Sequence, residues 1–281
     1  GGYHPRHYRC GASPGEAAQG GIMNPYDENR DRSAPAAPPA EGQPSQPMVR
    51  VQMPGSAPYV TYVIIAITVV AYVLQMASES LLGTDILILY GARINEAILA
   101  GELWRFLTPA LLHGSIPHIL FNMYALFSFG TGLERHFGHG RFLLLYVLCA
   151  FTGNVISFLF SAGYSVGAST AVFGLLGAEA VFLFQNRKLF AGQFSRAIQN
   201  VLFIAAINLF LGLQPGIDNW GHVGGLIGGL MFTWFAGPIW EIEGISPMLK
   251  LVDQRPSREV ILGAATVMFI FGALAMWGLM R

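Results

Sequence analysis

Cysteine is scarce in this chain, with only Cys10 and Cys149 among 281 residues. Cys10 falls in a polar stretch and Cys149 in an apolar one, which excludes a disulfide framework. Charge is scarce as well. Asp, Glu, Lys and Arg make up 11% of the sequence, and 16 basic residues balance 16 acidic ones. With zero net charge and no basic stripe, a nucleic-acid partner is excluded. No motif implies a metal or an organic cofactor. What the chain does have is apolar surface: 53% of its residues are hydrophobic and the mean hydropathy is +0.49. Those values lie outside the range of soluble domains and identify a polytopic, all-α membrane protein.

Three regions follow from composition. Residues 1–58 are rich in Pro, Ala, Gly and Gln, as in Ser33-Ala34-Pro35-Ala36-Ala37-Pro38-Pro39, and are expected to form a disordered cytoplasmic tail. Met23 offers a start within it, with upstream residues before it, and no cleavable signal peptide is visible. Residues 59–240 hold six apolar runs, at Tyr59–Ser78, His118–Arg135, Arg141–Ala162, Ser169–Gln185, Ala197–Leu213 and Asp218–Ala236. Residues 241–281 form a cytoplasmic linker and a seventh run, Arg258–Met280. The expectation is a helical bundle of seven transmembrane helices.

Charge sets the orientation. If the seven runs cross in turn, 13 of the 16 Lys and Arg residues fall on the side of the amino terminus, and only Arg93, Arg105 and Arg281 on the other. The positive-inside rule then puts the amino terminus in the cytoplasm and the carboxyl terminus outside, as for a multi-pass protein of a bacterial inner or plasma membrane. Runs two, four and six all descend from the outer face, so His118, Asn122, Ser169 and His222 share the outer half of the bilayer. Run four is short, because a helix of that length covers ~25 Å against a ~30 Å hydrocarbon core. With Arg187 and Lys188 at its foot, Ser169 lies below the outer surface, where water must reach it through a cavity.

Those residue types suit acyl transfer. A serine hydroxyl becomes a useful nucleophile when a neutral imidazole removes its proton, which pairs Ser169 with His222. The oxyanion of a tetrahedral intermediate needs donors, and His118 with Asn122, at i and i+4 on one helix face, supply two. The Ser169 N–H at a helix start supplies another. Asp218 precedes His222 by one helical turn and lies at the loop boundary, so a dyad is favoured over a triad. Gly221, Gly225 and Gly229 recur on one face of run six, and Gly174 with Ala178 on run four, which lets the two backbones approach closely. Phe173, one turn below Ser169, is expected to pack on the His222 ring.

Together, His113-x4-His118-x3-Asn122, Trp104-Arg105, Gly132-x-Glu134-x3-Gly138, Gly167-x-Ser169 and His222-x2-Gly225 resemble the motifs of the rhomboid intramembrane serine proteases, over roughly residues 59 to 240. The resemblance implies a six-helix core plus one extra C-terminal helix, with a Ser169/His222 dyad open to the outer aqueous phase. It implies single-span or polytopic membrane-protein substrates, cut near the outer ends of their transmembrane segments, and contact with membrane lipid. Gly167, Phe173, Gly225, Trp104 and Arg105 become supporting residues, with Trp104-Arg105 in a membrane-embedded hairpin beside the core. One position departs: the family usually has Gly after the nucleophile, and here it is Thr170.

Each residue also has a plainer reading. Ser169 serves equally as a helix cap, His118 and Asn122 as partners for interfacial backbone, His113 as a packing or hydrogen-bonding residue of the loop, Trp104 as an interface anchor and Arg105 as a loop brace. Glu134 and Arg135 brace the foot of run two, and Glu179, three turns below Ser169, is structural. Two other functional classes stay open: a catalytically inactive rhomboid-like membrane chaperone, and a proton-coupled transporter or haem protein using His118 and His222. Against the transporter stands the lack of an internal repeat.

Overall fold

The computed structural model describes residues 57–245 and 248–281, apart from the side chain at position 191. All but the last two residues of the expected tail lie outside the described residues. The first apolar run is helix α1 (Tyr59–Leu82), closed by Gly83 in the left-handed conformation. A long loop follows, built from α2 (Ile86–Gly91), α3 (Asn95–Leu99) and two 3-10 turns, Leu103–Phe106 and Thr108–Leu111. Run two is α4 (Ile116–Ala125) and α5 (Thr131–Phe137), joined through a π-helical turn at Leu126–Gly130. Next come α6 (His139–Phe160), α7 (Ser169–Gln185), the short α8 (Arg187–Phe190), α9 (Phe194–Leu211) and α10 (Asn219–Ala236). Two strands, β1 (Trp240–Ile245) and β2 (Met248–Asp253), precede α11 (Ser257–Leu279).

All seven apolar runs are therefore helical. Among the described residues, α1, α6, α9 and α11 are long and apolar enough to cross a membrane, and α7 is a shorter apolar helix. The chain is an integral, multi-pass membrane protein. The linker after α10 is not featureless: β1 and β2 pair antiparallel, with Trp240 opposite Asp253 and Ile245 opposite Met248. This hairpin is tied to the foot of α7, where Asn186 donates to the Pro238 carbonyl (3.0 Å) and accepts from the Trp240 N–H (2.7 Å). An Arg141–Asp253 ion pair (2.9 Å) ties it to the start of α6.

Helix ends show why particular polar residues are buried. Pro58 gives α1 no side-chain cap, and a helix start without partners leaves N–H groups unsatisfied. Glu134 of α5 supplies them instead, accepting from the Val60 N–H (2.8 Å), the Thr61 N–H (2.7 Å) and the Thr61 hydroxyl (2.6 Å). A carboxylate at a helix amino terminus also suits the macrodipole. Two residues past α5, His139 Nδ1 lies 2.6 Å from the same carboxylate. Gly138, at φ 76°, makes the corner between α5 and α6.

Helices α6, α7 and α10 form the centre. With no hydrophobic drive between helices in lipid, association there depends on close backbone contact, and glycine permits it. The face of α10 toward α7 carries Gly221, Gly225 and Gly229: a Cβ on Gly225 would overlap the Thr170 carbonyl oxygen, and one on Gly229 the Gly174 carbonyl oxygen. A second glycine face of α10 turns toward α6, where a Cβ on Gly224 would come within 2.7 Å of the Thr152 carbonyl oxygen and one on Gly228 would overlap the Thr152 hydroxyl. Helix α10 thus lies between two neighbours with almost no side chain in between.

Candidate active site

Ser169 is the first residue of α7, and Ala168 before it provides no side-chain cap. The turn into this helix depends on Gly167, whose φ of 131° is a conformation that side chains resist. Glycine is needed there for space as well, because a Cβ would stand 2.7 Å from His118 Nε2. The same turn is held from outside by the Pro109 carbonyl, which accepts from the Gly167 N–H (2.9 Å). Backbone geometry and sterics therefore select the residue two places before the serine.

His222 occupies the first turn of α10, where its N–H is held by the Asp218 carbonyl (3.3 Å). Its ring reaches across to α7, with Nε2 2.9 Å from Ser169 Oγ. Phe173 stacks on the face of the ring at a centroid distance of 4.2 Å and an interplanar angle of 12°. Gly225, one turn beyond the histidine, lets α10 lie against the Thr170 carbonyl, and this contact brings ring and hydroxyl within reach. His222 Nδ1 has no protein hydrogen-bond partner among the described residues. The carboxylate of Asp218 is directed elsewhere, to the Gly221 N–H (3.1 Å) and the hydroxyls of Ser157 and Ser161. The geometry is thus that of a pair and not of a triad, with a hydrogen bond between the Ser169 hydroxyl and the His222 imidazole.

His118 and Asn122 both lie on α4. The His118 ring abuts Gly167, two residues ahead of Ser169. Asn122 is buried one turn further, and its amide donates to the His118 carbonyl (3.0 Å). That bond uses one of the two amide N–H groups. His113 sits behind this pair, with its ring 5.0 Å from that of His118. Its Nε2 accepts from the Ala168 N–H (3.4 Å), immediately before the serine, while its backbone exchanges two bonds with the Gln75 side chain on α1. Burial, and then the neighbouring His118, push the His113 imidazole down to about 3, which keeps it neutral as an acceptor.

Trp104 and Arg105 bond within the loop and to neither Ser169 nor His222. Trp104 is half exposed and donates to the Tyr90 carbonyl (2.9 Å). Arg105 is buried and ties the loop together through Glu102 (2.6 Å) and the carbonyls of Ala92 (2.6 Å) and Leu89 (2.8 Å). Arg93 is the residue that sequence reasoning passed over. It too is buried, at 1% exposure, and its guanidinium bridges the loop before Ser169 and the start of α10. Its one sequence signal was an arginine inside a loop otherwise almost free of basic residues.

Chemically, a hydroxyl held by an unprotonated imidazole nitrogen can attack a carbonyl carbon, and nearby N–H groups can receive the resulting charge. Among known proteins, a family model described as "Rhomboid domain" matches residues 100–239. The chain is similar to Rhomboid protease GluP of Bacillus subtilis (strain 168), 44% identical over 218 residues, which are 77% of this chain and 41% of that protein. It is similar also to RHOMBOID-like protein 9, chloroplastic, of Arabidopsis thaliana, at 36% over 156 residues, 55% of this chain and 36% of the relative. RHOMBOID-like protein 1 of the same plant is 44% identical over 131 residues, 46% of this chain and 33% of the relative. The chain spans less than half the length of these three. With this match lying across the helices that hold Ser169 and His222, the chain belongs to the rhomboid family.

Proposed function

We propose that the protein is an intramembrane serine endopeptidase, with Ser169 as nucleophile and His222 as base. The observation that carries this reading is the 2.9 Å contact between Ser169 Oγ and His222 Nε2. Ser169 begins α7 and His222 lies in the first turn of α10, and Phe173 stacking limits the imidazole's freedom. The names of the relatives, a rhomboid protease among them, point the same way.

The reaction runs in two halves. His222 Nε2 takes the Ser169 proton as Oγ bonds to the scissile carbonyl carbon, and the electron pair of the C=O moves onto oxygen. His118, the second N–H of Asn122 and the Ser169 N–H are the donors for that oxyanion. Collapse expels the amine, which takes the proton from His222, and leaves an acyl group on Ser169. Water then repeats the sequence, releases the acid and restores the hydroxyl. No metal or organic cofactor enters. The substrates are transmembrane segments of other membrane proteins, cut near their outer ends.

The same reading extends to architecture. Residues 59–240 form the six-helix catalytic core, and residues 241–281 a cytoplasmic hairpin and a seventh crossing. The 13-to-3 charge asymmetry puts the amino terminus in the cytoplasm, with residues 1–58 as its tail, and the carboxyl terminus outside. A cysteine introduced between Tyr164 and Ala168 then reacts with an impermeant maleimide from outside, and one near Lys188 does not; the reverse pattern inverts the topology.

Incubation of the purified protein with a single-span model substrate, with the cut mapped by mass spectrometry, tests the activity. Cleavage at the outer membrane boundary, lost in Ser169→Ala and in His222→Ala at unchanged thermal stability, is the expected result. A fluorophosphonate should label Ser169 in the wild type. Cleavage by Ser169→Ala at more than a trace rejects the assignment.

A further inference from the structure

The α7–α10 contact poses a mechanical problem. Glycine faces let two helices approach closely, yet they offer few interlocking side chains to stop one helix sliding or turning against the other. A reactive geometry between Ser169 and His222 tolerates little of either. Something must hold the outer ends of these two helices in register.

A buried polar cluster outside the dyad joins those ends. Asp218 is the N-cap of α10, and its Oδ1 accepts from the Gly221 N–H (3.1 Å) and from Ser161 Oγ (2.7 Å). Its Oδ2 accepts from the Ser157 hydroxyl and lies 3.9 Å from Arg93 Nη2. Arg93 in turn donates from Nη1 to the Ser161 carbonyl (3.2 Å) and to Asn95 Oδ1 (2.5 Å), and from Nη2 to the Gly163 carbonyl. Its backbone pairs in both directions with Ser165, at 2.9 and 3.0 Å. The segment it grips, 161–165, runs directly into Gly167 and Ser169.

We propose that Arg93 and Asp218 form a clamp that sets the α7 and α10 helix starts against each other, which makes both of them positioning residues for Ser169 and His222. Asp218 fixes the rotation of α10 one turn before the imidazole. Arg93 holds the approach to the serine. The 1% exposure of Arg93 supports a dedicated role, since a buried guanidinium is costly unless it is matched, and here both terminal nitrogens find acceptors while Nε has none among the described residues. Asp218 is the carboxylate in ion-pair range of it. The inference rests on the dyad reading, and its test includes a measurement that does not require cleavage.

The test compares wild type with Asp218→Asn, Arg93→Gln and the double variant in the full chain. Asparagine keeps a good helix cap through its remaining oxygen, removes the charge and turns the oxygen that faces Arg93 and Ser157 into a donor. The expected result is a fall in kcat of about ten- to a hundredfold with KM held, read well below the melting temperature, since misplacement of reacting groups costs that much; the melting temperature itself falls in each single variant, because the remaining charge is left buried without its partner. Because the two residues act as one clamp, the double variant should lose no more than the worse single one. The nitrogen resonances of the His222 imidazole, identified by their loss in His222→Ala, should shift in Asp218→Asn. If the wild type cleaves and either single variant matches it, or if the two losses multiply, the clamp is refuted and the dyad stands. If the wild type does not cleave, the protease reading falls, and the His222 resonances alone decide: a shift supports the clamp and an unmoved signal refutes it. Should Arg93→Gln fail to fold, Asp218→Asn carries the same outcomes.

Discussion

Helices α6 and α9 are both apolar and of similar length, yet 72% of the apolar window of α6 is buried within the protein against 11% for α9. Their sequences explain the contrast. Helix α6 brings Thr152 and Gly153 to the glycine faces around α10, and Asn154 and Ser157 to polar partners. Helix α9 presents Leu202, Phe203 and Phe210 outward, each more than half exposed. In a membrane, lipid satisfies an apolar side chain as well as protein does, so apolarity alone does not pull a helix inward. Small residues and paired polar groups do. The candidate site lies where that pull is strongest, between α7 and α10.

The sharpest way to break this contrast is at Gly225. An added Cβ would overlap the Thr170 carbonyl oxygen, a backbone atom with no rotamer to escape into. Gly225→Ala should therefore force α10 away from α7, with a stability loss of about 1 to 3 kcal/mol or more and cleavage below detection. Phe203→Ala and Phe210→Ala, larger deletions by volume, should change stability by only about 0.5 kcal/mol, as surface substitutions do. Thermal denaturation in detergent reads both. Equal losses in the two helices would mean that α9 is held by contacts of comparable strength.

Gly167 tests the site end of the same interface. Alanine there would adopt φ near 131°, at a cost of about 1 to 3 kcal/mol, and its Cβ would displace the His118 ring. The expected outcome for Gly167→Ala is a drop in kcat of more than about a hundredfold, the scale of losing an oxyanion donor, with a smaller loss of stability than Gly225→Ala. His118→Ala and Asn122→Ala should each leave reduced but measurable turnover and change KM less. Full turnover in both would remove this pair from the chemistry.

Much of this arrangement was legible because its causes are local. Apolar runs announce helices, and all seven proved helical. A four-residue glycine period announces a close contact, and Gly221, Gly225 and Gly229 make one. The second glycine face, Gly224 and Gly228 against Thr152, was hidden because residues three and four apart blend into one Gly-rich string until a partner defines the face. The hairpin after α10 had a period-two signal in Glu241-Ile242-Glu243, too short to weigh beside the helical runs. Glu134 capping α1 and Arg93 meeting Asp218 join residues 74 and 125 positions apart in sequence, through loops of no fixed period. Such pairings depend on the assembled fold, and no spacing rule predicts them.

Thr170 carries the smallest expected effect and the finest test of the packing. It replaces the usual family glycine, is buried at 3% exposure, and its Oγ1 has no partner among the described residues. Successive helical residues point ~100° apart, so with Ser169 facing His222 the Thr170 side chain turns inward. There its carbons fill the space that glycine leaves on two neighbours: a Cβ on Gly153 would stand 2.5 Å from Thr170 Cβ, and one on Gly221 3.0 Å from Thr170 Cγ2. The branch therefore packs and the hydroxyl does not pair. Thr170→Val keeps the branch and removes an unpartnered buried oxygen, whose desolvation costs about 1 to 3 kcal/mol. Its melting temperature should hold or rise, with activity close to wild type. Thr170→Gly empties the space instead, so its melting temperature should fall while activity stays within about a factor of ten, roughly 1.4 kcal/mol in the barrier. A Thr170→Val variant that melts as expected yet no longer cleaves would mean that the hydroxyl serves the chemistry, and that the second residue of α7 belongs to the site as well as to the packing.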